Sequence, residues 1–178
     1  MNQRAARAIT AVMIALFAAH CAGEAHYHLR TDGRRVRTGL ERFIASKAKK
    51  YRGKSAALVT NHSGYDFDLK QNIQLLRDKG IKISMVFAPE HGVYGYMDDI
   101  DRRGWWYDGT IRCTVYNLYG INRGFLRYLL GLSDIVIFDI QDMGMRCYTY
   151  ITNLKDVIDA LDGLNRELIV LDRPNPVG

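Results

Sequence analysis

The chain has 178 residues, 48% of them hydrophobic, enough for one domain with a real core but not for two sizeable ones. Its formal net charge of +6 belongs to the start: residues 1 to 50 carry a net of +7 and the remainder a net of −1. The folded part therefore lacks the basic character that nucleic-acid binding needs, and no nucleic-acid partner is expected.

Arg4 and Arg7 precede an uncharged, alanine-rich stretch from Ala8 to Ala19. That stretch is shorter than the roughly 20 residues of a comfortable membrane span and matches the apolar region of a secretory signal, so residues 1–23 read as an export leader. A buried first helix fits this start less well. Cys21 follows Leu16-Phe17-Ala18-Ala19-His20 in the manner of a lipoprotein cleavage site, although His20 suits that pattern poorly. Lipidation of Cys21 is thus the one membrane attachment the sequence offers, and the expected location is exported: periplasmic, extracellular or lipid-anchored in a bacterium. Cys113 and Cys147 remain in the folded part, as a pair formed after export or as buried thiols.

Residues 24–38 are polar and basic without an apolar period and read as a linker, with the folded domain spanning 39–178. Leu40, Phe43, Ile44 and Tyr51 predict a short amphipathic helix. Ala56 to Thr60 predicts a strand, Leu69 to Lys79 a helix with Ile73, Leu75 and Leu76 inward and Gly80 closing it, and Ile81 to Ala88 a second strand. Pro89 to Gly109 reads as a long loop whose Trp105, Trp106 and Tyr107 argue for function rather than disorder. A strand near Ile111 to Tyr116, a helix near Arg123 to Leu130, a strand Ile135 to Phe138, a helix from about Tyr148 to Leu161 and a strand Leu168 to Leu171 complete the pattern. Strands alternating with helices imply parallel pairing through right-handed crossovers, hence an α/β, Rossmann-like three-layer αβα domain with a mainly parallel sheet.

Four of these strands run into dense polar turns. They are Asn61-His62-Ser63-Gly64, Pro89-Glu90-His91-Gly92, Asp139-Ile140-Gln141-Asp142 continuing through Gly144, Arg146, Tyr148 and Tyr150, and Asp172-Arg173-Pro174-Asn175-Pro176. Each alone could be turn chemistry, but in a parallel sheet all four share the edge where ligands bind. Only Gly64 stands where a dinucleotide site needs a glycine-rich turn, and no phosphate-binding loop is present, so no cofactor is expected. His62, His91, Asp139 and Asp142 lack a diagnostic metal-ligand spacing, which leaves a metal-dependent hydrolase as a minor alternative.

The motifs Leu58 to Gly64, Phe87 to Gly92, Phe138 to Tyr150 and Leu171 to Pro176 together resemble, in order, the DUF1343 family, whose NamZ-type members are exo-β-N-acetylmuramidases. The resemblance runs from about Gly39 to Gly178 and implies release of N-acetylmuramic acid from the non-reducing ends of peptidoglycan fragments. It further implies a second domain beyond the Asp-Arg-Pro-Asn-Pro segment and a cleft between the two. Ending at Gly178, the chain is expected to be a truncated product or to be completed by a separate C-terminal half. An inactive remnant that binds wall sugars is the alternative reading.

Glycosidases generally pair an acid with a base or nucleophile, unless a 2-acetamido group supplies the nucleophile itself. Glu90, at a strand end beside His91, is the first candidate for the essential carboxyl, against a role as a loop cap or ion pair. Asp139 and Asp142 compete as the second carboxylate, and Asp139 has the alternative of orienting Arg146. Arg146 or Arg173 suits the lactyl carboxylate of muramic acid, unless paired with Asp139 or Asp172. Tyr148 and Tyr150 can stack on or hydrogen-bond the sugar, or one of them can face the core, and Asn61, His62, His91, Gln141 and Asn175 complete the candidate substrate contacts. Trp105 and Trp106 offer a sugar platform or a cover for the domain edge.

Overall fold

The computed structural model describes residues 36–97 and 104–177. The expected leader and the linker as far as Arg35 lie outside these residues. A short helical segment comes first: α1 (Gly39–Arg42), prolonged by a π-helical turn (Phe43–Lys47) and a 3₁₀ turn (Ala48–Tyr51). Thr38 and Glu41 form a capping box that starts α1, each side chain bonding the other's backbone N–H. Strands β1 (Ser55–Thr60), β2 (Lys82–Ala88), β3 (Trp105–Asp108), β4 (Cys113–Asn117), β5 (Ile135–Asp139) and β6 (Glu167–Val170) alternate with helices α2 (Asn72–Asp78), α3 (Arg123–Gly131) and α4 (Tyr150–Leu161).

The six strands form one sheet in the order β3-β4-β2-β1-β5-β6, parallel throughout except for the antiparallel β3. β1 and β5 are inner strands, buried from Ala56 to Thr60 and from Ile135 to Asp139, as their continuous apolar runs predict. Side chains alternate between two cores. Leu58, Ile135 and Ile137 face Leu40, Phe43, Ile73 and Leu76 on one side. Val59, Val136 and Phe138 face Leu126, Leu130, Val157 and Ala160 on the other. The result is the expected three-layer αβα arrangement.

The loop read from Pro89 to Gly109 contains β3, which corrects that reading. Trp105-Trp106-Tyr107 are strong strand formers with little alternation to announce them, and pairing with β4 decides their state. Helix α2 begins at Asn72 rather than at Leu69, because Asp66 Oδ1 holds the Asp68 and Lys70 N–H groups in a turn and Leu69 adopts φ 58°.

From β1 the chain moves outward through β2 to β4, then returns to place β5 on the other side of β1. The β1/β5 junction is therefore the topological switch point, where helices leave to opposite faces and a crevice opens at the strand ends.

Candidate active site at the strand ends

β1, β2, β5 and β6 are adjacent and parallel, so the four polar turns gather along one edge, as their strand positions predict. At its base lies a buried ion pair. Asp139, fully buried at the end of β5, accepts from Arg173 Nε at 2.7 Å and from Nη2 at 3.1 Å, while Arg173 Nη1 donates to the Tyr65 carbonyl. Asn72 Nδ2 donates to Asp139 Oδ2 at 2.7 Å and to Thr60 Oγ1 at 2.8 Å. Thr60 Oγ1 in turn donates to the Asp139 carbonyl. The network joins the ends of β1, β5 and β6 to the start of α2.

Gly64 is the residue that permits this closeness. A Cβ there would stand 2.5 Å from both Asn72 Nδ2 and Thr60 Oγ1. Of the two arginines considered for Asp139, the network pairs it with Arg173 and not with Arg146, and three donated hydrogen bonds engage its carboxylate. Arg173 is correspondingly spent on Asp139 and Tyr65 instead of standing free as a clamp.

Three further candidates tie the loops together. Gln141 donates through Nε2 to the carbonyls of Asp142 and Pro174, and its backbone N–H donates to Ser63 Oγ. Asp142 Oδ1 accepts from the Gly144 N–H at 2.6 Å, an Asx turn in which Gly144 takes φ 66°. Asn175 Oδ1 accepts from the Val177 N–H, and the Asn175 side chain occupies the space a Cβ on Gly144 would fill. The β5 loop and the Asp-Arg-Pro-Asn-Pro segment thus close against each other.

Glu90, His62, His91, Arg146 and Tyr148 are exposed or half-buried around this frame. Glu90 is half-buried at the turn after β2, and no hydrogen bond or ion pair engages it among the described residues. His91 follows with φ 69° and Gly92 with φ 70°, two successive left-handed residues that swing the chain sharply away from the sheet. For a histidine that conformation stores strain, of the kind structures keep at functional turns. His62 is exposed, its ring resting against Gly95, where a Cβ would come within 2.7 Å. Arg146 is exposed, with no bonding partner among the described residues.

Tyr148 and Tyr150 take different roles, as alternation allows. Tyr150 is buried in the core beneath α4 and Tyr148 is partly exposed, their rings tilted at 5.4 Å. Burial pushes the Tyr150 phenol above its ordinary value, the neighbouring Asn61 amide pulls it back, and the charges of Tyr148 and Glu90 push it up again. Asn61, Tyr150 and Glu90, from three separate elements, therefore share one neighbourhood.

Among the described residues no three His, Cys, Asp or Glu side chains gather as a metal site. Cys113 is buried and Cys147 exposed, both as free thiols. Trp106 packs against the core, whereas Trp105 is exposed on the far edge strand, two strand spacings or roughly 10 Å from β2. Asn72 enters this network with no local signal in the sequence. A polar residue opening a helix reads as surface, and its partner Asp139 lies 67 positions away.

Residues 56–178 match the family model described as the N-terminal part of exo-β-N-acetylmuramidase NamZ. The chain is 37% identical over 145 residues to the peptidoglycan β-N-acetylmuramidase NamZ of Bacillus subtilis (strain 168), covering 81% of this chain and 35% of that protein. Two crystal structures of DUF1343 family proteins from Bacteroides fragilis NCTC 9343 also match. One has a TM-score of 0.68 at 36% identity, the other 0.60 at 28%; each covers 80% of this chain, and the chain covers 35% and 36% of theirs. The chain thus spans about a third of the length of these relatives, and the four strand-end motifs fall within the matched region. By model, sequence and fold alike, it belongs to the NamZ (DUF1343) family.

Proposed function

We propose that the chain is the Rossmann-like part of an exported glycoside hydrolase that releases N-acetylmuramic acid from the non-reducing ends of peptidoglycan fragments. The supporting observation is that the loops carrying Asn61, Glu90 and Arg146, and the start of α4 at Tyr150, follow adjacent parallel strands at one edge of the sheet of a family member. Glu90 takes the role of the essential carboxyl, being half-buried and unspent, while Asp139 is consumed by Arg173. Asp142 stays the candidate for a second carboxylate, though its Oδ1 is committed to the Gly144 turn. A substrate acetamido group acting as nucleophile would remove the need for it. Arg146 offers a free guanidinium for the lactyl carboxylate.

The test incubates peptidoglycan fragments with the chain, alone and joined to the remaining part of a NamZ relative, and follows the product by mass spectrometry. Free N-acetylmuramic acid is the expected product, and its absence from the joined form would refute the assignment. A second reading is sugar binding without turnover, through the exposed Arg146 guanidinium and the partly exposed Tyr148 ring. Binding of N-acetylmuramic acid by both forms with no product from either would favour it. Export is tested by fusing residues 1–38 to a reporter that is active only outside the cytoplasm.

A further inference from the structure

The polar groups at the end of β1 form a chain with a fixed direction. The Gln141 backbone N–H can only donate, and it donates to Ser63 Oγ at 2.9 Å. The Ser63 hydroxyl proton passes onward to Asn61 Oδ1 at 2.6 Å, and the same oxygen accepts from the Ser63 backbone N–H at 2.9 Å. Two donors on one oxygen settle which end of the Asn61 amide is which, so Nδ2 faces the other way.

Asn61 is 2% exposed, and its Nδ2 completes no hydrogen bond. A buried donor left in this state carries its full desolvation cost. The amide sits beside the Tyr150 hydroxyl, near enough to favour the phenolate but short of the geometry of a completed bond. With a donor behind the phenol oxygen, the phenol's own proton has to turn away from Asn61. No described residue accepts it, and Glu90 is close enough for its charge to be felt at Tyr150.

We propose that Tyr150 is a ligand-binding residue whose hydroxyl donates to the carbonyl oxygen of a sugar 2-acetamido group, with Asn61 as the positioning residue that directs it. This rests on the glycosidase reading above. A ligand carboxylate in this spot would face the Glu90 carboxylate in a half-buried setting, whereas exposed Arg146 suits it. An amide carbonyl is the strongest uncharged acceptor on an N-acetylated sugar, and the partly exposed Tyr148 ring beside Tyr150 offers apolar surface for its methyl group. Donation to the ligand makes the phenol oxygen a better acceptor, so that Asn61 Nδ2 closes its own bond at the same moment.

The experiment labels the full chain at tyrosine Cζ with carbon-13 and adds either N-acetylmuramic acid or muramic acid lacking the acetyl group. The Tyr150 resonance, identified by its loss in Tyr150→Phe, is expected to move with the first sugar and not the second. Tyr150→Phe should weaken binding of N-acetylmuramic acid about five- to tenfold. Asn61→Asp places an acceptor behind the phenol, turns its proton inward and should reproduce that loss although the phenol is retained. In a pH titration, Asn61→Ala should raise the pH at which Tyr150 ionises.

Equal movement with both sugars would overturn the acetamido assignment while leaving the glycosidase reading standing. No movement with either would overturn the ligand-binding role of Tyr150, while the glycosidase reading is decided separately by product release from the joined form. A Tyr150 titration unchanged in Asn61→Ala, or parent-like binding by Asn61→Asp, would overturn the positioning role. Tyr150→Phe keeps the ring in its core seat and carries the binding test should the Asn61 variants fail to fold.

Discussion

Arg146 and Arg173, chemically identical, are set to opposite tasks by burial. Arg173 and Asp139 shield each other in the interior, so removing one leaves the other as an unpaired buried charge. Arg173→Met should cost about 3–5 kcal/mol in urea unfolding, since breaking a buried pair strands its partner. A loss below about 1 kcal/mol would show that the network does not hold the strand ends together. Arg146, exposed and unengaged, should behave in reverse. Arg146→Met is expected to change stability by less than about 0.5 kcal/mol. It should weaken binding of N-acetylmuramic acid about tenfold or more, as loss of a charge-assisted bond implies. Calorimetric titration showing unchanged affinity would remove Arg146 from the site.

At the scale of elements, the edge holds its shape because neighbouring turns are locked to one another. Gly64→Ala forces a Cβ against Asn72 and Thr60, and should destabilise the chain by about 1–3 kcal/mol in thermal or urea unfolding. Parent-like stability would mean that this close approach is relaxed in solution. On the opposite edge, Tyr51 Oη donates to Glu167 Oε1 at 2.5 Å and joins the 3₁₀ turn to β6. The bond raises the Tyr51 phenol and lowers the Glu167 carboxyl, each first through this hydrogen bond. A lowered carboxyl adds stability above its unfolded value that is lost as pH falls through the folded one. A raised phenol adds stability below its ordinary value of 10.0 that is lost as pH rises through the folded one. Tyr51→Phe should therefore flatten the stability profile at both its acid and alkaline ends, and an unaltered profile in pH-dependent urea unfolding would contradict the coupling.

At the scale of the whole molecule, sheet order turns four short motifs into one surface. The strands were legible because buried parallel strands are continuous apolar runs, and Ala56 to Val59 and Ile135 to Phe138 end abruptly in polar residues. β3 was not, because an edge strand is defined by its neighbour and Trp105-Trp106-Tyr107 has no period of its own. The same physics divides the site. Glu90 and Tyr150 could be nominated from their positions at strand and helix ends, but which arginine Asp139 binds is decided by contacts across 34 and 67 positions, beyond the reach of local pattern. The proposed glycoside hydrolysis rests on Glu90 as its essential carboxyl. Turnover of a chromogenic N-acetylmuramic acid β-glycoside should be compared in parent and Glu90→Gln forms, each joined to the remaining part of a NamZ relative, with sugar affinity measured in parallel. Glu90→Gln is expected to lower kcat about 10²- to 10⁴-fold, the span of general acid–base catalysis, while affinity for N-acetylmuramic acid stays within about threefold. Parent-like turnover by Glu90→Gln would contradict it.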